Sequence, residues 1–265
     1  MTEPIPNTQH PATAGRLIAV GLGPGDPELI TVKGLRRLQS ADIVVVPRAA
    51  GADDSQAERI AAPWLDPARQ RLITLNFTLE MARVALDGMW DGAVEVLAEP
   101  LLSGRQVVYL VVGDPLLFGS FVYLWERLAL RLPQIPVEII PGISSVNASA
   151  AAAGVPVALG SERVALLPAA HEADSATLRR LLADFDTVIL LKAGRALRRL
   201  LPILETEGLL PHTMVVEQAS WPTQRVFRDV HAAANQRLSY WTLLIIRRSR
   251  RQSCTLPPAS GSCAG

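Results

Sequence analysis

The sequence predicts an α/β protein built in two halves. Three observations carry this: short apolar runs recur along the chain, amphipathic helical patterns alternate with them, and glycine- and proline-rich turns follow several of the runs. With 265 residues and 49% hydrophobic content, the chain can bury a large core, as one domain or as two of roughly 100 to 130 residues.

Residues 1–14 are polar, and they lack the basic start and apolar run of a secretory signal, so they read as a flexible N-terminus. Apolar runs then fall at Leu17–Val20, Ile43–Val46, Val107–Val112, Val137–Ile140, Val164–Leu167, Val188–Leu191, Met214–Val216 and Leu243–Ile246. Each is short and nearly unbroken, as expected of strands covered on both faces. Helical spacing appears at Val32, Leu35 and Leu38, with Lys33, Arg36 and Arg37 turned outward, over a longer stretch from about Leu79 to Leu102, and at Phe121, Leu124 and Leu128.

Leu132-Pro133-Gln134-Ile135-Pro136 divides the chain, because prolines end a helix and are excluded from a central strand. The expected domains are 15–134 and 135–248, followed by a disordered tail, 249–265. Cys254 and Cys263 both lie in that tail, so a core disulfide is excluded. His10, His171, His212 and His231 are scattered without ligand spacing, and no metal is expected. A net charge of +1 without long charge runs argues against nucleic acid and against a polybasic membrane patch. No apolar run reaches the roughly 20 residues of a membrane span, so a cytoplasmic, soluble protein is expected.

Four loops, each after a predicted strand, are the candidate site, since ligands of open α/β sheets bind at that edge. In Gly21-Leu22-Gly23-Pro24-Gly25-Asp26-Pro27 the glycines are spaced G-x-G-x-G, and Pro24 occupies the tight turn. Asp42 precedes the second strand and Arg48 follows it, where a dinucleotide fold would end that strand on an acid. Both features count against nicotinamide or flavin binding. Gly113-Asp114-Pro115-Leu116-Leu117-Phe118-Gly119-Ser120 lies where a buried strand gives way to a helix; Asp114 there suits either a ligand's polar group or a helix cap. Pro141-Gly142-Ile143-Ser144-Ser145 precedes the small-residue helix Asn147 to Ala153, which suits either an open ligand space or close packing. Lys192-Ala193-Gly194 closes the set, with Gly194 able to end the strand in an unusual conformation.

In order and spacing, Gly21 to Asp26, Gly113 to Pro115, Pro141 to Ser145 and Gly154-Val155-Pro156 resemble the signatures of the tetrapyrrole methyltransferase family. The resemblance spans about Arg16 to Arg247. It implies two α/β domains with S-adenosylmethionine in the cleft between them, a tetrapyrrole substrate and a homodimer. Within the family it is closest to enzymes methylating C20 of precorrin-2. Asp42 to Arg48, Ala57 to Pro63, Gly113 to Tyr123 and Leu166 to Ala169 carry that choice. Val157-Ala158-Leu159 stands where C1/C3 and C11 relatives carry Thr-His-Arg, whereas Phe118 replaces the tyrosine usual in C20 enzymes, and Leu75-Asn76-Phe77-Thr78 replaces their Phe-Pro-Met-Thr.

The resemblance implies cofactor contacts at Pro24, Val112, Gly113, Asp114, Leu117, Ser144, Ser145, Ala193, Ala219 and Thr242. A polycarboxylate substrate calls for cations, and Arg48, Arg163 and Lys192 are candidates on loops or strand ends; each is equally readable as a solvated surface charge. A sulfonium methyl is already activated, so positioning suffices and no protein nucleophile is needed. The sequence names no general base. The remaining alternatives are methylation at C1/C3 of uroporphyrinogen III or C11 of precorrin-4, and a non-catalytic S-adenosylmethionine- or tetrapyrrole-binding protein.

Overall fold

A computed structural model describes residues 15–78, 83–169 and 175–248. The chain forms two compact units, the first ending at Ile143 and the second beginning at Ser144. The expected flexible N-terminus (1–14), the expected disordered tail with both cysteines (249–265) and residues 79–82 of the expected long helix lie outside the described residues.

The first unit holds strands β1 (Arg16–Gly21), β2 (Ile43–Ala49), β3 (Arg71–Phe77), β4 (Gln106–Val111) and β5 (Val137–Ile140). They form one sheet in the order β3-β2-β4-β1-β5, parallel throughout. Its helices are α1 (Val32–Gln39), α2 (Gln56–Ala61), α3 (Arg83–Leu102) and α4 (Phe121–Arg131). The apolar runs of β1, β2 and β4 are buried because these are the three interior strands. Aromatic rings fill the space beneath α3 and α4: Phe77 stacks on Trp90 at 4.2 Å, and Tyr109 meets Phe121 at 5.6 Å.

Three expectations change here. The prolines do end α4, but Val137–Ile140 then returns to pair with β1, with Leu17 N–H donating to the Pro136 carbonyl. An edge strand tolerates a proline at its start, so the units part after Ile143 and not at 134/135. Val32 is exposed at the start of α1, which buries Gly34 and Leu38 instead. Finally β3, absent from the sequence reading, is an edge strand whose mixed, partly exposed residues make no apolar run.

The second unit comprises α5 (Ser145–Ala153), β6 (Val164–Pro168), α6 (Ser175–Asp184), β7 (Thr187–Leu191), α7 (Leu197–Thr206), β8 (Thr213–Glu217), β9 (Arg225–Phe227), α8 (Val230–Ala234) and β10 (Thr242–Arg247). Its sheet order is β6-β7-β10-β8-β9. Only β6 and β7 run parallel; β10 is antiparallel to both of its neighbours, and β8 to β9. The three-residue β9 is also missing from the sequence reading. The small side chains of α5 serve close packing: Val146 and Ala150 lie against Ile189 and Ile245, and Ala148 and Ala153 against Val216 and Ala219. Among the described residues, no helix is long and apolar enough to cross a membrane.

Candidate functional site

In the first unit, the loops after β1, β4 and β5 leave three adjacent strands at one sheet edge and are knitted by backbone contacts. Leu22 N–H donates to the Val111 carbonyl at 2.8 Å, and Gly113 N–H to the Gly23 carbonyl at 2.7 Å. The third loop comes so close that a Cβ on Gly142 would collide with the Gly113 carbonyl and lie 2.8 Å from Gly21 Cα. Only glycine permits that approach. The carboxylate of Asp114 completes the knot, accepting from Leu116 N–H at 2.9 Å and from Gly142 N–H at 3.0 Å.

Asp114 therefore does not cap a helix. Helix α4 starts at Phe121, after a loop, and its N-cap Ser120 makes no side-chain cap bond. Asp114 instead closes an Asx turn and joins two loops. The loop carries Gly113 at φ +76° and Phe118 at φ +54°, the latter 49% exposed. A Cβ on Gly113 would meet no heavy atom within 4 Å, so space is open beside the strand end. Pro24 is buried on the first loop, and Val112 and Leu117 are half-buried on the second.

In the second unit, the ends of β7 and β8 and the start of β10 meet at one edge. Three non-glycine residues there, Lys192 (φ +59°), Gln218 (φ +50°) and Ser220 (φ +67°), occupy the left-handed region. Together with Phe118 they are all such residues among those described, and every one follows a strand. Strain of about 1–3 kcal/mol per residue persists only where the surroundings enforce it, and it gathers at functional sites. Here the enforcing contacts are Ala193 N–H to the Thr242 carbonyl at 2.8 Å and Gln218 N–H to the Trp241 carbonyl at 2.8 Å. Gly194 has no unusual φ; it is needed because any Cβ would strike the Ser239 carbonyl.

Ala193, Ala219 and Thr242 are all buried at this edge, and Ala219 packs on Ala148, one turn into the helix that Ser145 begins. Ser144 precedes that helix and donates its hydroxyl to Asn147 Oδ1 at 2.8 Å. Thus Ala193, Ala219 and Thr242 are brought to one edge of the second unit, Ser144 and Ser145 lie at the start of α5, and Pro24, Val112, Gly113, Asp114 and Leu117 are brought to one edge of the first unit.

The three cations separate. Arg48 is the penultimate residue of β2, near the loop-bearing edge, and donates to Asn76 Oδ1 at 2.9 Å. Lys192 leaves β7 at the equivalent edge of its own sheet. Arg163 does not share that edge: it precedes β6, its amide bonds Asp186 Oδ2 at 2.9 Å, and its guanidinium lies 5.7 Å from the Phe185 ring centroid. A residue before a parallel strand sits at the opposite end from one that follows its neighbour, so Arg163 falls out of the substrate set.

Sequence reasoning missed Glu217, the last residue of β8. It is 3% exposed, accepts from Ser239 N–H at 2.6 Å and pairs with Arg225 through its Nε at 2.7 Å. Burial alone would raise its pKa, but the Ser239 and Arg225 hydrogen bonds outweigh it and hold the carboxyl below the usual value. A depressed carboxyl stabilises the fold above its unfolded pKa and loses that contribution as pH falls through the folded one. Glu217→Gln is accordingly expected to lose about 1–2 kcal/mol at pH 7. In denaturant titrations the gap from the parent protein should narrow below about pH 4.3; a gap independent of pH would show that the charge is not responsible.

Two α/β units whose strand ends carry tightly knitted, backbone-rich loops define a two-unit α/β class, and the carboxyl ends of strands are where ligands of open α/β sheets bind. The model for the Tetrapyrrole (Corrin/Porphyrin) Methylases matches residues 16–234, and the chain belongs to that family. Cobalamin biosynthesis protein CobIJ of Mycobacterium tuberculosis (strain ATCC 25618 / H37Rv) is 35% identical over 248 residues, which cover 90% of this chain and 47% of that protein. The chain thus spans about half the length of that relative. A Precorrin-2 C(20)-methyltransferase from Sinorhizobium sp is 31% identical over 239 residues, 88% of this chain and 95% of that one. The solved structure of uroporphyrin-III C-methyl transferase from Thermus thermophilus, complexed with S-adenyl homocysteine, is similar with a TM-score of 0.59 and 26% identity, covering 88% of this chain and 97% of that chain.

Proposed function

We propose that this chain is an S-adenosylmethionine-dependent C-methyltransferase acting at C20 of precorrin-2 or cobalt-precorrin-2 in cobalamin biosynthesis, as a cytoplasmic homodimer. The observation that carries the reading is the set of strained, backbone-locked loops at the strand ends, joined to 31% identity across nearly the whole length of a protein named for that reaction. The bound cofactor supplies an activated methyl group. The open space beside Gly113, flanked by the half-buried apolar Val112 and Leu117 and by the Asp114 carboxylate, fits a ligand that is part apolar and part cationic or hydroxylated. Ser144, Ser145, Ala193, Ala219 and Thr242 are the contacts we assign in the second unit, with Pro24 in the first. Arg48 and Lys192 bind substrate carboxylates. Asp114 fixes the loop that carries Gly113, and the chain's catalytic contribution is positioning and exclusion of water.

The test is anaerobic incubation with precorrin-2 and methyl-labelled S-adenosylmethionine, with the label located by NMR. Label at C20 supports the assignment. Label at another ring carbon replaces it with the sibling activity that the uroporphyrin-III relative represents, and no transfer despite cofactor binding supports the non-catalytic reading.

A further inference from the structure

At the edge of the second unit where Ala193 and Thr242 meet, two large aromatic side chains stand exposed: Tyr240 at 52% and Trp241 at 38%. They pack edge to face, with ring centroids 5.3 Å apart and planes at 87°, so the pair shows two perpendicular surfaces. Lys192 places its ammonium 5.4 Å from the Tyr240 ring centroid. None of this is loose. Lys192 is held in left-handed backbone, and Trp241 is anchored by Gln218 N–H on its carbonyl.

We propose that Lys192, Tyr240 and Trp241 form a subsite for the tetrapyrrole, the ring pair meeting a pyrrole-derived face and Lys192 pairing a peripheral carboxylate. The inference rests on the methyltransferase reading above. Charge selects the occupant: an ammonium repels the sulfonium cofactor, whose net charge is positive, and attracts a polycarboxylate macrocycle. An exposed aromatic pair with a cation at its margin suits a conjugated anionic ring, and a ring carrying no carboxylates would leave Lys192 without a counter-charge.

The test titrates the full chain with S-adenosylhomocysteine by calorimetry and with uroporphyrin, an octacarboxylate porphyrin, by absorbance. Tyr240→Ala and Trp241→Ala are each expected to weaken uroporphyrin about five- to tenfold. Lys192→Gln should do the same and flatten the salt dependence, Lys192→Arg should restore both, and S-adenosylhomocysteine affinity should stay within about twofold throughout. Because the two rings are exposed, thermal unfolding of their variants should match the parent. Unchanged porphyrin affinity, or a loss confined to S-adenosylhomocysteine, overturns the subsite. If the parent binds S-adenosylhomocysteine but no porphyrin, the subsite falls and the cofactor assignment stands; if it binds neither, the methyltransferase reading falls with it.

Discussion

Gly142→Ala is expected to destabilise the first unit by about 3 kcal/mol and to abolish methyl transfer. The added methyl has no place to go: on one side stands the Gly113 carbonyl and on the other the Gly21 backbone, both parts of strand ends that cannot yield separately. Relief requires the third loop to retreat. That movement stretches the 3.0 Å bond from Gly142 N–H to Asp114 and so loosens the loop bearing Gly113. Chemical denaturation and calorimetric titration of S-adenosylhomocysteine measure the two effects separately. A folded variant with native affinity would show that the three-loop knot has no part in binding.

Asp114→Ala should have a comparable effect on binding with a smaller effect on folding. Removing the carboxylate leaves the Leu116 and Gly142 amides without their acceptor. Hydrogen bonds to a charged group contribute about 1.5–3 kcal/mol, so a loss of about 2 kcal/mol in stability is expected. Water can satisfy amides in a half-buried loop, which keeps the variant folded. The Gly113 loop loses its fixed conformation, and cofactor affinity should drop more than tenfold, with turnover falling further because the methyl group must be held in line for attack. Asp114→Asn separates the contributions: its single carbonyl oxygen can serve Leu116 or Gly142 but not both, so it should fall between the parent and Asp114→Ala. Equal affinity for all three proteins would refute the clamp.

The interior strands were legible because burial on both faces writes itself as unbroken apolar sequence, as in Val107–Val111 and Val188–Leu191. Edge strands write nothing so plain. Arg71–Phe77 alternates and Arg225–Phe227 is too short, and both are found only by knowing their partners. Glycines marked the loops of the first unit correctly, yet glycine is silent about a non-glycine residue forced to positive φ. Nothing in Lys192, Gln218 or Ser220 announces the conformation that long-range hydrogen bonds from residues 193 and 218 to the 241–242 segment impose. Glu217 was missed for a related reason: Arg225 reaches it from β9, a strand the sequence did not reveal, and Ser239 comes from 22 residues further along the chain. Arg163 was misplaced because one residue before a strand and one residue after look alike in sequence and lie at opposite ends in space.

The place of β10 in its sheet also governs the order in which the protein can be built. The first unit's sheet is closed once β5 has been made, since all five strands lie at or before Ile140. In the second unit the central position belongs to the strand synthesised last of the ten, so β7 and β8 emerge from the ribosome with bare edges and no direct contact to each other. Until Thr242–Arg247 arrives, those edges are open to other chains. A ribosome stalled before residue 242 should therefore carry a protease-resistant first unit and a protease-sensitive, chaperone-bound remainder. Emergence of Thr242–Arg247 then inserts the keystone strand and, in the same event, anchors Ala193 and Gln218 through their bonds to the Thr242 and Trp241 carbonyls.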